Sequence, residues 1–90
     1  MSNQTPWLTL GDQLRTARRR EWLSQHDVAR RLGITQAAYC HFERGRVRPR
    51  LTNLRQLAEV LHLSMTQLLP LAAYEPDAFV KSVATDLAAG

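Results

Sequence analysis

Ninety residues make one domain, long enough for a single helical core. A hydrophobic content of 44% excludes wholesale disorder, and the longest apolar stretch, residues 68–74, is broken by Pro70 and far too short to span a bilayer. One cysteine, Cys40, excludes an internal disulfide framework and fits a reducing cytoplasm, and the opening "MSNQTPWLTL" lacks the basic leader and apolar run of a secretory signal. The net charge of +4 is unevenly spread. Residues 15–55 hold all eleven arginines against three acids, a balance of +8, whereas the rest holds Lys81 against five acids, a balance of −4. A segregated basic middle is the footprint of a polyanionic partner. A membrane surface fits less well, because the basic segments lack an extended Trp/Phe/Leu face.

Residues 1–8 read as an N-terminal arm. Thr9 with Asp12 predicts the start of a first helix whose apolar positions are Leu10, Leu14 and Ala17. Ser24 with Asp27 predicts a second, with Val28, Ala29 and Leu32 facing inward and Gly33 stopping it. Thr35 opens a third, where Ala38, Tyr39 and Phe42 share a face and Gly45 ends it. Pro49 blocks backward extension, so a fourth helix begins near Leu51 or Thr52, with the stripe Leu51, Leu54, Leu57, Ala58 and Leu61. Ser64 with Gln67 predicts the cap of a fifth, carrying Met65, Leu68 and Leu69 before Pro70.

Residues 9–70 thus form the domain, and residues 71–90 form an extension. In it Pro76 suits a first helical turn and Phe79, Val80, Val83 and Leu87 make an apolar stripe. No strand pattern, internal repeat or low-complexity segment competes. The expected fold is all-α: a compact five-helix domain with a short C-terminal amphipathic helix.

The second and third helices carry the function. A steep two-helix unit needs a small residue where the helices touch and a glycine in the turn, and Ala29 and Gly33 supply both. Val28, Leu32, Tyr39 and Phe42 then fill the wedge beneath. That is helix-turn-helix patterning, and it leaves the outward face of the third helix free to enter a DNA major groove. The face begins with Thr35, Gln36 and Ala37, short or amide-bearing side chains that permit close approach.

The segment from Leu10 to Leu69 resembles the phage-repressor/Cro family of helix-turn-helix proteins, also called the xenobiotic-response-element family. The resemblance rests on "LRTAR", "SQHDVARRLGIT" and "FERGRVRPRLTNLRQLAEVLHLS", and covers about sixty residues. It implies a repressor-like five-helix fold, and operator-specific transcriptional repression as a homodimer on a palindromic site. It also implies a cytoplasmic, nucleoid-associated place in a prokaryote, phage or plasmid-bearing cell. By motif position, Gln25 matches the glutamine that bonds a phosphate and Gln36 the glutamine that reads a base. Arg18 and Glu43 match a pair tying the first helix to the end of the recognition helix. Ala37 stands where a longer polar residue is often found.

The chemistry of these residues agrees. The Gln36 amide can pair with adenine N6 and N7, and Ala37 can meet a thymine methyl. His41, one turn beyond Ala37, is in reach of bases or phosphate. Arg44, Arg46, Arg48 and Arg50 lie around Gly45 and Pro49 with no acid among them, so phosphates are the expected counter-charge. His26, His41 and His62 show no metal-ligand spacing, and no cofactor is expected. No nucleophile elbow, phosphate-cradling glycine loop or HExxH motif suggests an enzyme.

The tail leaves two alternatives open. Its stripe can pack on its own domain near Leu68, Leu71 and Tyr74, or on the same elements of a second chain as a homodimer interface. The rival functional reading is a protein-interaction module, such as an antitoxin whose tail binds a partner protein while its core binds DNA.

Overall fold

The computed structural model describes residues 7–75, 77, 78, 80, 81 and 84. Among the described residues, five complete α-helices follow one another: α1 (Leu8–Arg20), α2 (Gln25–Leu32), α3 (Gln36–Glu43), α4 (Leu51–Leu61) and α5 (Met65–Leu71), and Ala78, Val80, Lys81 and Ala84 beyond them are helical. No strand occurs among the described residues. The fold is all-α.

The helix starts follow capping chemistry with two exceptions. At α2 the Ser24 hydroxyl accepts the Asp27 N–H at 3.0 Å, and the Asp27 carboxylate accepts the Ser24 N–H at 2.9 Å. This reciprocal box satisfies two otherwise orphaned donors. The bond from the Ser24 backbone, followed by that from its side chain, holds the Asp27 carboxyl below its ordinary pKa. Thr35 caps α3 through a 3.0 Å bond from the Ala38 N–H. Of the two exceptions, α4 begins after Arg50 without a side-chain cap, and the other is α1. It starts at Leu8 after Trp7, with no side-chain cap, so Thr9 lies within the helix and the expected Thr9–Asp12 start is not used. At α5 the Ser64 hydroxyl accepts from Thr66, while the Gln67 amide bonds Gln13. That helix also runs through Pro70 to Leu71 instead of ending before the proline.

The helix ends share one device. Behind each helix a residue takes a left-handed conformation: Trp22, Gly33, His62 and Ala73 after α1, α2, α4 and α5, and Gly45 after α3. The following N–H then reaches back five residues. Leu23 bonds Arg18 O, Ile34 bonds Ala29 O, Arg46 bonds His41 O, Leu63 bonds Ala58 O and Tyr74 bonds Leu69 O. This closure satisfies carbonyls that the helix leaves open, and glycine suits its left-handed position best. Three of the five ends place a side chain there instead.

The core is one cluster. α1 gives Leu10, Leu14 and Ala17; α2 gives Val28, Ala29 and Leu32; α3 gives Tyr39 and Phe42. α4 adds Leu54, Leu57, Ala58 and Leu61, and α5 with its exit adds Leu68, Leu69 and Ala72. Each fully buried leucine contributes about 1.5–3 kcal/mol of transfer free energy, so this apolar set is the main stabiliser. Packing continues past Pro70, because Ala72 is fully buried and Tyr74 packs against the cluster. α1 and α3 approach so closely at Gly11 that a Cβ there would stand 2.2 Å from the Glu43 carbonyl oxygen.

Candidate nucleic-acid interface

Glu43, the last residue of α3, is 1% exposed and is the only buried charged residue among the described ones. Its carboxylate accepts four hydrogen bonds. Arg18 Nε donates to Oε2 at 2.5 Å and Arg18 Nη2 to Oε1 at 3.1 Å. The Tyr39 hydroxyl donates to Oε2 at 2.5 Å, and Gln25 Nε2 to Oε1 at 3.0 Å. Burial alone would raise the Glu43 pKa, but the bonds from Arg18, Tyr39 and Gln25 outweigh it and leave the group lowered. The bond to Glu43 likewise raises the Arg18 pKa against burial, while burial first and that same carboxylate second push the Tyr39 hydroxyl up.

The network joins α1, α2 and α3 at one point. Arg18 Nη1 also donates to Leu23 O at 3.0 Å, fixing the turn before α2. Arg15 Nη2 reaches the Glu43 carbonyl at 3.4 Å. The end of the third helix, and the loop that leaves it, are therefore held by charge-assisted bonds as well as by packing.

On this frame the other end of α3 is open to solvent. Thr35, Gln36 and Ala37 are exposed at the first turn. His41, one turn later, is half-buried, with its Nδ1 enclosed and without a hydrogen-bond partner among the described residues. Cys40 is half-buried beside it and is a free thiol.

The four arginines after α3 do not form one set. All four are exposed, but the Arg46 and Arg50 side chains bond nothing among the described residues. Arg48 is spent on the fold. Its Nε donates to Ala72 O at 2.7 Å and its Nη2 to Ala73 O at 3.0 Å. Its guanidinium lies over the Tyr74 ring at 3.8 Å and near the Trp7 ring at 5.8 Å. Tyr74 completes the clasp by donating its hydroxyl to Pro49 O at 2.9 Å. The loop after α3 is thereby bolted to the exit of α5. Gln25 is divided in the same way, since one amide hydrogen goes to Glu43.

Of the residues expected at an interface between chains, Leu68 is buried in the core, and Leu71 and Tyr74 are half-buried. Val80 is 65% exposed. Phe79, Val83 and Leu87 lie outside the described residues. A cavity of about 220 Å³ lined by Thr66, Leu69, Pro70 and Tyr74 opens at the root of the tail. Among the described residues, no group of three or more His, Cys, Asp and Glu side chains could hold a metal ion, and no helix is long and apolar enough to cross a membrane.

Three features were missed in the sequence, and the first two left a signal. Gly11 interrupts the stripe of the first helix, as a glycine does where another backbone approaches closely. Arg48 lies between Trp7 and Tyr74 only in space, although an arginine before proline and two aromatics, Trp7 in the arm and Tyr74 at the root of the tail, stand in the sequence. Trp22 occupies the position behind α1 that glycine occupies behind α2 and α3.

A capped helix with an exposed first turn, set against a second helix and followed by a basic loop, defines a helix-turn-helix DNA-binding domain. The chain belongs to the helix-turn-helix domain family, whose model matches residues 9–71. Its structure is similar to the crystal structure of the clp gene regulator ClgR from Corynebacterium glutamicum. The TM-score is 0.68 over 97% of this chain and 90% of that one, at 22% sequence identity. At that identity the likeness is one of fold. A search of curated proteins finds no match.

Proposed function

We propose that this chain is a sequence-specific regulator of transcription of the phage-repressor/Cro type, acting as a homodimeric repressor on a palindromic operator. The observation that carries the reading is the pairing of the exposed first turn of α3 with the exposed arginines of the loop behind it. Thr35, Gln36 and Ala37 read base edges, with His41 beside them offering its outer nitrogen. Arg44, Arg46, Arg50 and the remaining donor of Gln25 hold phosphates and set the register. Arg48 is left out of that set because its guanidinium serves the loop.

Pairing of two chains follows from the size of the reading surface, since one recognition helix covers too little groove for useful affinity. The cavity at Tyr74 and the exposed Val80 support an interface built from α5 and the tail stripe of Phe79, Val80, Val83 and Leu87.

Selection of bound duplexes from a random library, followed by titration of salt, tests the proposal. A dimer making about eight phosphate contacts gives a log–log slope of about −7, and the selected site is a palindrome. A slope near zero removes the nucleic-acid reading. Sedimentation of the full chain beside a Phe79→Asp, Leu87→Asp variant tests the interface. A variant that stays dimeric with unchanged operator affinity assigns the interface to α5 alone.

A further inference from the structure

We infer that Trp22 is a DNA-contact residue, laying its indole on the phosphodiester backbone beside the reading helix. The inference rests on the DNA-binding reading above and adds a contact that the loop arginines do not provide.

The starting observation is local physics working against the residue. Trp22 has φ of +59° and is 93% exposed. It fills the left-handed position of the closure behind α1, with its own N–H on Arg19 O and the next N–H on Arg18 O, both at 3.1 Å. Glycine takes that position without a steric penalty, whereas a side chain there crowds the backbone. The large apolar surface of an indole left in water is a second cost. Neither cost is recovered inside the domain, because the ring is bare.

The position of the turn says what would cover it. Arg18 holds both the Leu23 carbonyl and the Glu43 carboxylate, so the turn carrying Trp22 and the end of α3 share one anchor. Arg44 begins the basic loop at that same end. Ser24 and α2 follow Trp22 after a single residue, Leu23, and in helix-turn-helix docking the first helix of the motif crosses the DNA backbone. The indole therefore belongs to the frame that presents the arginines.

Charge around the ring favours a polyanion over a protein surface of mixed charge. Arg19 and Arg20 are exposed on the preceding turn. The nearby acid, Glu21, is turned toward His62 Nδ1 at 3.1 Å and also faces Arg20 at 3.9 Å. An indole N–H donates to a phosphate oxygen, and the flat ring packs on deoxyribose without asking for a particular base. The predicted contribution is affinity and footprint length, not sequence choice.

The test uses the full chain and a duplex chosen by library selection, comparing wild type with Trp22→Gly and Trp22→Phe. Trp22→Gly should melt at the wild-type temperature or above it, because glycine suits the left-handed position. It should nevertheless bind DNA about tenfold more weakly per subunit, the loss expected for a hydrogen bond to a charged group. Trp22→Phe, which keeps a flat ring without the donor, should fall between. The salt slope should not change, and hydroxyl-radical protection of the sugars flanking each half-site should shrink. Wild-type affinity and footprint in Trp22→Gly overturn the inference and turn the ring toward a protein partner. A lowered melting temperature also overturns it, by assigning the indole to the fold. Failure of the wild-type chain to select any duplex is a separate result, which removes the DNA-binding reading and this inference with it.

Discussion

Arg18 grips Glu43 with two parallel hydrogen bonds, Nε to Oε2 at 2.5 Å and Nη2 to Oε1 at 3.1 Å, across 25 residues of sequence. The Arg18 side chain is 13% exposed and that of Glu43 is 2% exposed, so water replaces little of the bond when one partner is lost. Glu43→Ala should lower unfolding free energy by up to about 3–5 kcal/mol in urea titrations, because a largely enclosed guanidinium is left without its acceptor. A double replacement, Arg18→Met with Glu43→Leu, should recover part of that loss. Simple additivity of the two single changes would show that the pair has no coupling energy.

Acid should act through the same carboxylate. The Glu43 pKa lies below that of the unfolded chain, so the folded state binds fewer protons wherever the two differ. Its stabilising contribution is complete above the unfolded value of about 4.3 and is lost as pH falls through the lower folded value. Urea titrations from pH 6 downward should show stability dropping in that window, with a contribution from Glu43 of at most about 1.4 kcal/mol per pH unit. Glu43→Gln should remove this contribution to the slope. Tyr39 works in the opposite direction: its raised pKa keeps the hydroxyl a donor, and that stabilisation fades only in alkali.

At Gly11 two effects oppose each other, and their sizes decide the outcome. Alanine is favoured over glycine inside a helix by about 1 kcal/mol. A Cβ at that site, however, would stand 2.2 Å from the Glu43 carbonyl oxygen and 2.9 Å from that of Phe42, and both contacts are backbone. Neither helix can yield by turning a side chain, so Gly11→Ala should be destabilising by about 1–3 kcal/mol or more. Thermal melts should show a lower midpoint in the variant.

Mutations along the interface should separate into three behaviours. Gln36→Ala should cost roughly 1–3 kcal/mol on the preferred site and flatten discrimination at one base per half-site. Arg46→Ala should weaken binding to all sequences about equally and reduce the salt slope by about one contact per subunit. Arg48→Gln should leave the salt slope at its wild-type value while lowering the melting temperature, since its donors serve Ala72 and Ala73. A reduced slope in Arg48→Gln would return that residue to the phosphate-binding set. Titrations at several salt concentrations on the selected duplex and a scrambled one read all three.

The sequence by itself determined the helices, most of their caps and the identity of the core. Those features are written in short-range periodicity: Ser24 with Asp27, Thr35 ahead of Ala38, and the 3.6-residue stripe from Leu51 to Leu61. It also placed Gln36 and Ala37 on an exposed first turn, because polar and small residues outside an apolar stripe face water. What the tertiary structure alone decided is how the charged groups are shared. Arg48 looked equivalent to Arg46 and Arg50 in the chain, yet the exit of α5 brings two carbonyls and an aromatic ring to it and to neither of the others. Gln25 looked free and is half committed to Glu43. The indole of Trp22 gave no periodic signal, since a residue outside every stripe shows its strain only when its φ and its exposure are known. Periodicity reports which face of a helix is apolar. The partner of a long polar side chain depends on which distant backbone folds against it, and that is a property of packing.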